Sequence, residues 1–266
     1  MKKTLFILAS ALCGSASAAL QVGDVVGITY TVNSATNGTV DGTFLGTSGV
    51  FNTVNPVNTA SLPSGELLSM GGTASGITLS AWENHGAPGA AACTQGFAAP
   101  NTGALPTTVF SSGLVTGGTY GGELMGNNNN ESISMTLSGL TSGQSYSLYM
   151  LAGRGNNAWS VSQDNIEYSL SGVTDVTATL LGASSDQTQI VDATLSSYEY
   201  NSAGADSAQW SMVRWDFVAD ENGSVTISTN ANGNINAVAL QVTPEPTTAT
   251  LSLLALAGLC ARRRRK

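Results

Sequence analysis

Short runs in which apolar and polar residues alternate are the feature that most restricts how this chain can fold. Ile133, Met135 and Leu137 alternate with serine and threonine. An extended backbone places such residues on opposite faces, so the three apolar side chains would share one face of a sheet. Stripes with the period of an α-helix are missing from residues 19–243, and the pattern predicts an all-β body.

A longer run shows the same two-faced pattern between residues 210 and 219. One face is formed by Val213, Trp215 and Phe217. The other is formed by Met212, Arg214 and Asp216. Trp215 is therefore predicted to lie in the core.

Polar turns separate the predicted strands, which are Val25–Val32, Gly76–Trp82, Ile133–Ser138, Ser145–Leu151, Ile166–Leu170, Val176–Leu181, Trp210–Ala219, Ser224–Thr229 and Ile235–Val242. Two hairpins are predicted: Ile133–Ser138 with Ser145–Leu151, and Ser224–Thr229 with Ile235–Val242. The segment Asp220-Glu221-Asn222-Gly223 is a strong turn signal. Many short strands joined in this way predict an antiparallel jelly-roll-like β-sandwich.

The two ends of the chain carry most of its positive charge. Seven of the nine lysines and arginines lie in residues 1–18 and 244–266, which leaves Arg154 and Arg214 in between. Those two cations face sixteen acidic residues, so residues 19–243 have a net charge of −14. Such a surface repels phosphate backbones, and nucleic acid is excluded as a partner.

Cysteines are too few to cross-link the body. Cys13 and Cys260 lie in the terminal segments, and Cys93 is alone between them. Once both ends are removed, no intrachain disulfide can form, so stability must come from a packed core.

The N-terminus has the three parts of a secretory signal peptide. Lys2 and Lys3 precede a short apolar stretch, and Ala16-Ser17-Ala18 has the small-x-small form of a cleavage site. Cleavage between Ala18 and Ala19 would leave a mature chain that begins at Ala19. A lipoprotein interpretation through Cys13 is disfavoured, because Leu12 occupies a position where a small residue is required.

The C-terminal segment, residues 244–266, has three ordered parts. Pro244-Glu245-Pro246 is followed by an apolar stretch, Thr247–Ala261, and then by Arg262, Arg263, Arg264, Arg265 and Lys266. A helix of that length spans about 22 Å, and flanking arginines can extend its reach across a bilayer. The cations would stay on the cytoplasmic side. The alternative, a buried C-terminal helix, is disfavoured because the stretch has no polar face.

These three parts resemble the PEP-CTERM sorting signal of bacteria that produce exopolysaccharide. The resemblance covers about a tenth of the chain. It implies recognition by an exosortase, a membrane-embedded cysteine transpeptidase that removes the helix and transfers the protein outward. It assigns no activity to the body.

A second, looser resemblance covers residues 45–243. Phe51-Asn52, the segment 140–146 and the segment 235–240 are similar to a body type common in PEP-CTERM proteins, which is itself similar to galactose-binding-like jelly rolls. This resemblance implies a fold and leaves function open.

Catalytic motifs are missing from the sequence. His85 is the single histidine, without a recognisable flanking motif, and Cys93 lies in a run of small residues. No G-x-S-x-G, H-E-x-x-H or C-x-x-C pattern occurs. We therefore expect a non-enzymatic protein without a cofactor.

Binding functions remain open. A structural calcium ion is one alternative, with Asp164, Asn165, Asp216 and Asp220 as oxygen donors whose spacing is not diagnostic. Sugar binding is the other, and its candidate platforms are Trp82, Trp159, Trp210, Trp215, Tyr198 and Tyr200. Trp159 follows a polar, glycine-containing run that starts at Arg154, which makes it the leading candidate for an exposed platform. For any single aromatic, core packing is favoured over ligand contact. Arg154 can face the ligand or pair with an acid, and the ion pair is the favoured alternative. The sequence as a whole predicts an exported cell-surface or extracellular-matrix protein, with a carbohydrate-binding module as the alternative.

Overall fold

Strands account for 67% of the residues that the structure, a computed structural model, describes. The described residues are 20–30, 38–54, 65–84, 87–88, 108–111, 114, 124–125, 132–154, 163–183, 188–199, 209–229 and 234–244. Within them the strands form two seven-stranded sheets and one two-stranded sheet. The prediction of an all-β sandwich is confirmed at this level.

Sheet A has the strand order β10-β13-β8-β16-β1-β3-β2. Its members are β1 (Val25–Tyr30), β2 (Gly38–Phe44), β3 (Thr47–Val54), β8 (Ser145–Arg154), β10 (Val173–Ala183), β13 (Gln209–Ala219) and β16 (Ala237–Val242). Neighbouring strands are antiparallel except for β1 and β3, which run parallel, with Ile28 opposite Asn52. The predicted antiparallel arrangement therefore has one exception in sheet A: β3 forms an antiparallel hairpin with β2 and pairs in parallel with β1.

Sheet B has the strand order β11-β12-β9-β14-β7-β4-β5. Its members are β4 (Thr78–Asn84), β5 (Ala87–Pro88), β7 (Ile133–Ser138), β9 (Gln163–Ser171), β11 (Gln189–Val191), β12 (Thr194–Glu199) and β14 (Ser224–Thr229). The two-stranded sheet consists of β6 (Leu124–Met125) and β15 (Asn234–Ile235).

The main core lies between sheets A and B. One apolar cluster joins Leu148 and Trp215 of sheet A with Met135 and Ile227 of sheet B. Burying each aliphatic side chain of this kind contributes about 1.5–3 kcal/mol. Tyr30 also crosses this core, where its hydroxyl contacts the Met135 sulfur at 3.1 Å, and burial raises the pKa of the Tyr30 hydroxyl.

A second apolar cluster covers the opposite, outer face of sheet A. It includes Phe44, Phe51 and Tyr149 of the sheet, together with Phe110 and Met70 from connecting segments. The rings of Phe44 and Tyr149 meet edge to face, with centroids 4.9 Å apart. The middle of sheet A is therefore buried on both faces.

The first predicted hairpin is wrong, although both of its strands form. β7 belongs to sheet B and β8 to sheet A, so residues 139–144 carry the chain from one sheet to the other. The backbone N–H groups of Gly139 and Leu140 both donate to the carbonyl of Gly223, at 3.0 and 2.9 Å. This connection makes the apolar faces of β7 and β8 oppose each other across the core.

The second predicted hairpin is wrong for the same reason. β14 lies in sheet B between β9 and β7, whereas β16 lies in sheet A between β8 and β1. The turn predicted at residues 220–223 is confirmed. The Asp220 carboxylate accepts from the backbone N–H of Asn222 at 2.9 Å, and Gly223 has a φ of 60°.

Gly139 and Gly143 provide a matched test of this crossing connection, because both have positive φ, at 96° and 76°. A Cβ at Gly139 would overlap the Gly76 carbonyl, whereas a Cβ at Gly143 meets nothing within 4 Å. We expect Gly143→Ala to lower the free energy of unfolding by about 1 kcal/mol, and Gly139→Ala by roughly 3 kcal/mol or more. Urea denaturation measures both, and equal losses would contradict the described contact with Gly76.

Candidate functional site

The outer face of sheet A changes from apolar to polar along strands β8 and β13. The apolar cluster covers Leu151 of β8 and Trp210 of β13, and at the other end of these strands β8, β13 and β10 line a cleft of about 640 Å³. We call it the polar cleft and define it by Ser145, Ser147, Asp175, Thr177, Asp216 and Thr243, with Pro244 at its rim.

Strand alternation positions the serines of the cleft. Tyr146 and Leu148 point into the main core, so Ser145 and Ser147 must face the other way. Asp216 of β13 lies directly opposite Ser147 of β8 in the strand register. The Ser147 hydroxyl donates a hydrogen bond to the Asp216 carboxylate.

A β-bulge brings Asp175 to the same cleft. The register of β10 with β13 shifts between Thr174 and Thr177, and Asp175 adopts a φ of 52°. Aspartate tolerates this left-handed conformation better than most residues. Bulges of this type redirect a side chain and bend an edge strand. The exposed Asp175 side chain therefore lines the cleft beside Thr177.

Asp216 of the cleft also forms an ion pair along its own strand. Arg214 Nη2 lies 3.0 Å from Asp216 Oδ2, and the two side chains are 36% and 41% exposed. At that exposure solvent screens the pair, which contributes about 0–1 kcal/mol to stability. The hydroxyl groups of the cleft can donate or accept hydrogen bonds, and its carboxylates can accept them, from a polar ligand that carries hydroxyl groups.

Two of the tryptophans considered as sugar platforms are buried. Trp215 is fully buried, as predicted, and its Nε1 donates to the Ala193 carbonyl at 2.8 Å. Trp210 is 8% exposed and packs in the outer cluster of sheet A. The core position predicted for Trp215 is confirmed, and Trp210 cannot serve as an exposed platform because its ring packs against apolar side chains. Across the described ranges, the exposed large apolar side chains are aliphatic: Val22, Leu45, Leu181 and Val191.

The other predicted ligand contacts fall at the margin of what the structure describes. Arg154 ends β8 and pairs with Gln209 of β13, but its side chain lies outside the described set. Trp159, Tyr200, His85 and Cys93 lie outside the described residues, as do the side chains of Trp82 and Tyr198. Their predicted roles stay predictions.

The calcium donors are divided between two sheets. Asp164 and Asn165 belong to β9 of sheet B, whereas Asp216 belongs to β13 of sheet A. Asp220 closes its own turn with Asn222. Among the residues that the structure describes, no group of three His, Cys, Asp or Glu side chains is arranged to hold a metal ion.

Most of the terminal signals lie outside the described residues: Ala18, Ala19, Glu245, Pro246, Arg262, Arg263, Arg264 and Arg265. Pro244 is described and exposed. The described ranges contain no helix that is long and apolar enough to cross a membrane.

Residues of the looser sequence resemblance have structural roles in the described fold. Asn52 Nδ2 donates to the carbonyls of Gly27 and Leu68, at 2.9 and 2.8 Å, and Asn52 Oδ1 accepts from Leu68 N at 2.8 Å. The Tyr146 hydroxyl accepts from Thr141 N at 2.9 Å, as in a tyrosine corner. These hydrogen bonds fix connections to the sheet, and Tyr146 also lines the polar cleft.

The sequence alone does not predict that Ser147, Asp175, Thr177 and Thr243 belong to a common site. The alternation of serine with Tyr146 and Leu148 was the available signal for an outward polar face. Comparison with known proteins adds no assignment, since no protein-family model matches the chain and no curated protein aligns with it at a significant level.

Asn52 gives a test of the structural interpretation. Asn52→Ala removes three hydrogen bonds at a 6% exposed position and should lower the free energy of unfolding by about 2–4 kcal/mol. Asn52→Asp should cost at least as much at neutral pH, because a carboxylate would face the Gly27 and Leu68 carbonyls. Asn222→Ala, in an exposed turn, is the control. An Asn52→Asp variant as stable as the parent would refute the assigned bonds.

Proposed function

We propose that this chain is an exported, non-enzymatic protein of the cell surface or extracellular polysaccharide matrix, sorted by an exosortase-type system. Residues 1–18 act as the signal peptide, residues 19–243 form the folded body and residues 244–266 form the sorting signal. The C-terminal helix is a transient transmembrane anchor. For the body we propose a jelly-roll-like topology related to the galactose-binding-like sandwiches.

The observation that supports this proposal most directly is the position at which the sheet ends. Val242 N donates to Asp24 O at 3.0 Å, and Thr243 N donates to Ser145 O at 3.0 Å. The Thr243 carbonyl accepts from Gln144 Nε2 at 2.9 Å. Pro244, the first residue of the sorting signal, follows immediately and is exposed. Hydrogen bonds therefore hold the chain against the sheet up to Thr243, the residue that precedes the signal.

This junction favours a removable tail. A processing enzyme needs several residues in an accessible, extended form, and β16 is paired on both sides with β8 and β1. Cutting before Thr243 would require these pairs to open. Cutting beyond Pro244 leaves the sheet intact, so the signal can be removed without unfolding the body.

Charge agrees with a location outside the cytoplasm. With Arg154 and Arg214 as its two cations, the acidic body has little attraction for nucleic acid or for an anionic membrane surface. Its processing partners are signal peptidase and the exosortase, and the membrane is a partner through the tail alone. Exopolysaccharide is the proposed extracellular neighbour.

Mass spectrometry of the surface-released protein tests the sorting proposal. We expect a chain that begins at Ala19 and ends at or beyond Pro244 but lacks Arg262–Lys266. Replacing Pro244, Glu245 and Pro246 with alanine should abolish removal of the tail and leave cleavage after Ala18 unchanged. Thr247→Ala with Thr248→Ala is the matched control. A released form that still carries Val242–Lys266 would refute the sorting proposal.

Carbohydrate binding is the second candidate, and the polar cleft favours it. The exposed Thr177 hydroxyl and the Asp175 and Asp216 carboxylates match the hydrogen-bonding groups of a sugar, whereas Ser145 and Ser147 are buried beneath them. This candidate places the ligand at Asp175, Thr177 and Asp216, whereas the sequence predicts it at Trp159.

Measuring the binding of a panel of glycans to the mature protein and its variants distinguishes these two ligand positions. If the cleft binds sugar, Asp175→Asn should weaken saturable binding about tenfold, in line with exchanging a charged hydrogen-bond acceptor for a neutral one. Thr39→Ala, on the opposite edge strand, should leave the affinity unchanged, while Trp159→Ala tests the other placement. The absence of saturable binding to any glycan would exclude this second candidate, and hydrolysis of a glycan would contradict the non-enzymatic assignment.

A further inference from the structure

The polar cleft contains two carboxylates, and they differ in their partners. Asp216 lies 3.0 Å from Arg214 Nη2 and also accepts a hydrogen bond from the Ser147 hydroxyl. Asp175 is exposed and forms no ion pair with any residue that the structure describes. The positive charge of Arg214 is therefore used by one carboxylate, and the other is left to meet a ligand.

The sequence excludes another lysine or arginine of the body as a partner for Asp175. Residues 19–243 contain Arg154 and Arg214 as their two cations. Arg154 ends β8, a ten-residue strand, and so lies roughly 30 Å from Ser145 at the cleft. The cleft thus has an uncompensated negative charge, on a body whose net charge is −14. This charge attracts a cationic group and repels an anionic one.

A hydroxyl without a partner lies on the floor of the same cleft. Ser145 is 7% exposed and faces the cleft, because the next residue, Tyr146, points into the main core. The Ser145 carbonyl accepts from Thr243 N, but the Ser145 Oγ makes no hydrogen bond within the described part of the chain. Buried side-chain hydroxyls are hydrogen-bonded in the large majority of cases, so this one indicates a polar group that the cleft receives.

The register of sheet A brings the free hydroxyl and the free carboxylate to one cavity. Ser145 of β8 lies opposite Val218 of β13, which lies opposite Thr174, the residue before Asp175. Ser145 and Asp175 both line the cleft of about 640 Å³. Small-molecule sites have volumes of about 300–1,000 Å³. The cleft therefore has room for a ligand that contacts both groups.

We propose that the polar cleft binds an amino sugar through its protonated amino group, in a polysaccharide whose amines are not acetylated. This inference rests on the second candidate function, carbohydrate binding, and names the class of sugar. The ammonium group donates to the Asp175 carboxylate, and a hydroxyl of the same sugar bonds to Ser145 Oγ. A bare metal ion is disfavoured, because the described residues offer no group of three ligating side chains.

Calorimetric titration of the mature protein with three oligosaccharides of equal length tests the proposal. The oligosaccharides are built from glucosamine, N-acetylglucosamine or galacturonic acid, and the pH is one at which the sugar amine is protonated. We expect the glucosamine oligomer to bind about tenfold more tightly than the acetylated one, because a charged hydrogen bond replaces a neutral one. The galacturonic acid oligomer should show no saturable binding.

Asp175→Asn is the decisive variant. Asparagine tolerates the left-handed conformation of this position as aspartate does, so the bulge should persist. The variant should bind the glucosamine and N-acetylglucosamine oligomers equally. Asp41→Asn removes an exposed carboxylate from the opposite edge strand and should leave the tenfold preference unchanged. Ser145→Ala should weaken both oligomers about fivefold, in line with losing one neutral hydrogen bond, and keep the preference.

The outcomes separate this proposal from the function on which it rests. If the acetylated or the galacturonic acid oligomer binds as tightly as the glucosamine oligomer, the amino-sugar proposal is wrong and carbohydrate binding stands. A preference for the amine that survives Asp175→Asn also overturns the proposal. If none of the oligomers, nor any other glycan, binds saturably, both the proposal and the second candidate function fail.

Discussion

The packing of the alternating inner face of sheet A against sheet B is the interaction on which the rest of the molecule depends. Leu148, Trp215 and Leu240 come from three adjacent strands and share one core with Met135 and Leu137 of the opposite sheet. With no disulfide available to the body, this burial must offset the conformational entropy of the chain. The outer cluster around Phe51 and Tyr149 adds a second layer, so the central strands of sheet A are held from both sides.

Alternation in the sequence predicted which segments form strands but could not predict how they pair. Ile133–Ser138 and Ser224–Thr229 match β7 and β14, since periodicity determines which side chains share a face. A short polar connection, however, looks the same whether it closes a hairpin or crosses between sheets. The crossing at Gly139 is specified by contacts with Gly76 and Gly223, which are distant in sequence.

The candidate site was harder to predict for a related reason. The polar cleft combines residues from β8, β10 and β13 with Thr243, which follows β16, and a bulge at Asp175 completes it. No local spacing encodes such a combination. Thr243 and Pro244 also line the cleft, so the exit of the chain and the polar surface share one end of sheet A. In the proposed function, removal of the tail would therefore take place beside this surface.

In the proposed function, the folded body is complete at Thr243 and the residues beyond it are a detachable signal. Chemical denaturation of chains that start at Ala19 and end at Asn236, Thr243 or Pro246 tests it most directly. We predict cooperative unfolding with equal midpoints for the chains that end at Thr243 and Pro246. Loss of β16 should abolish cooperative unfolding in the shortest chain. A chain ending at Asn236 that unfolds like the others, or a markedly less stable chain ending at Thr243, would contradict the account.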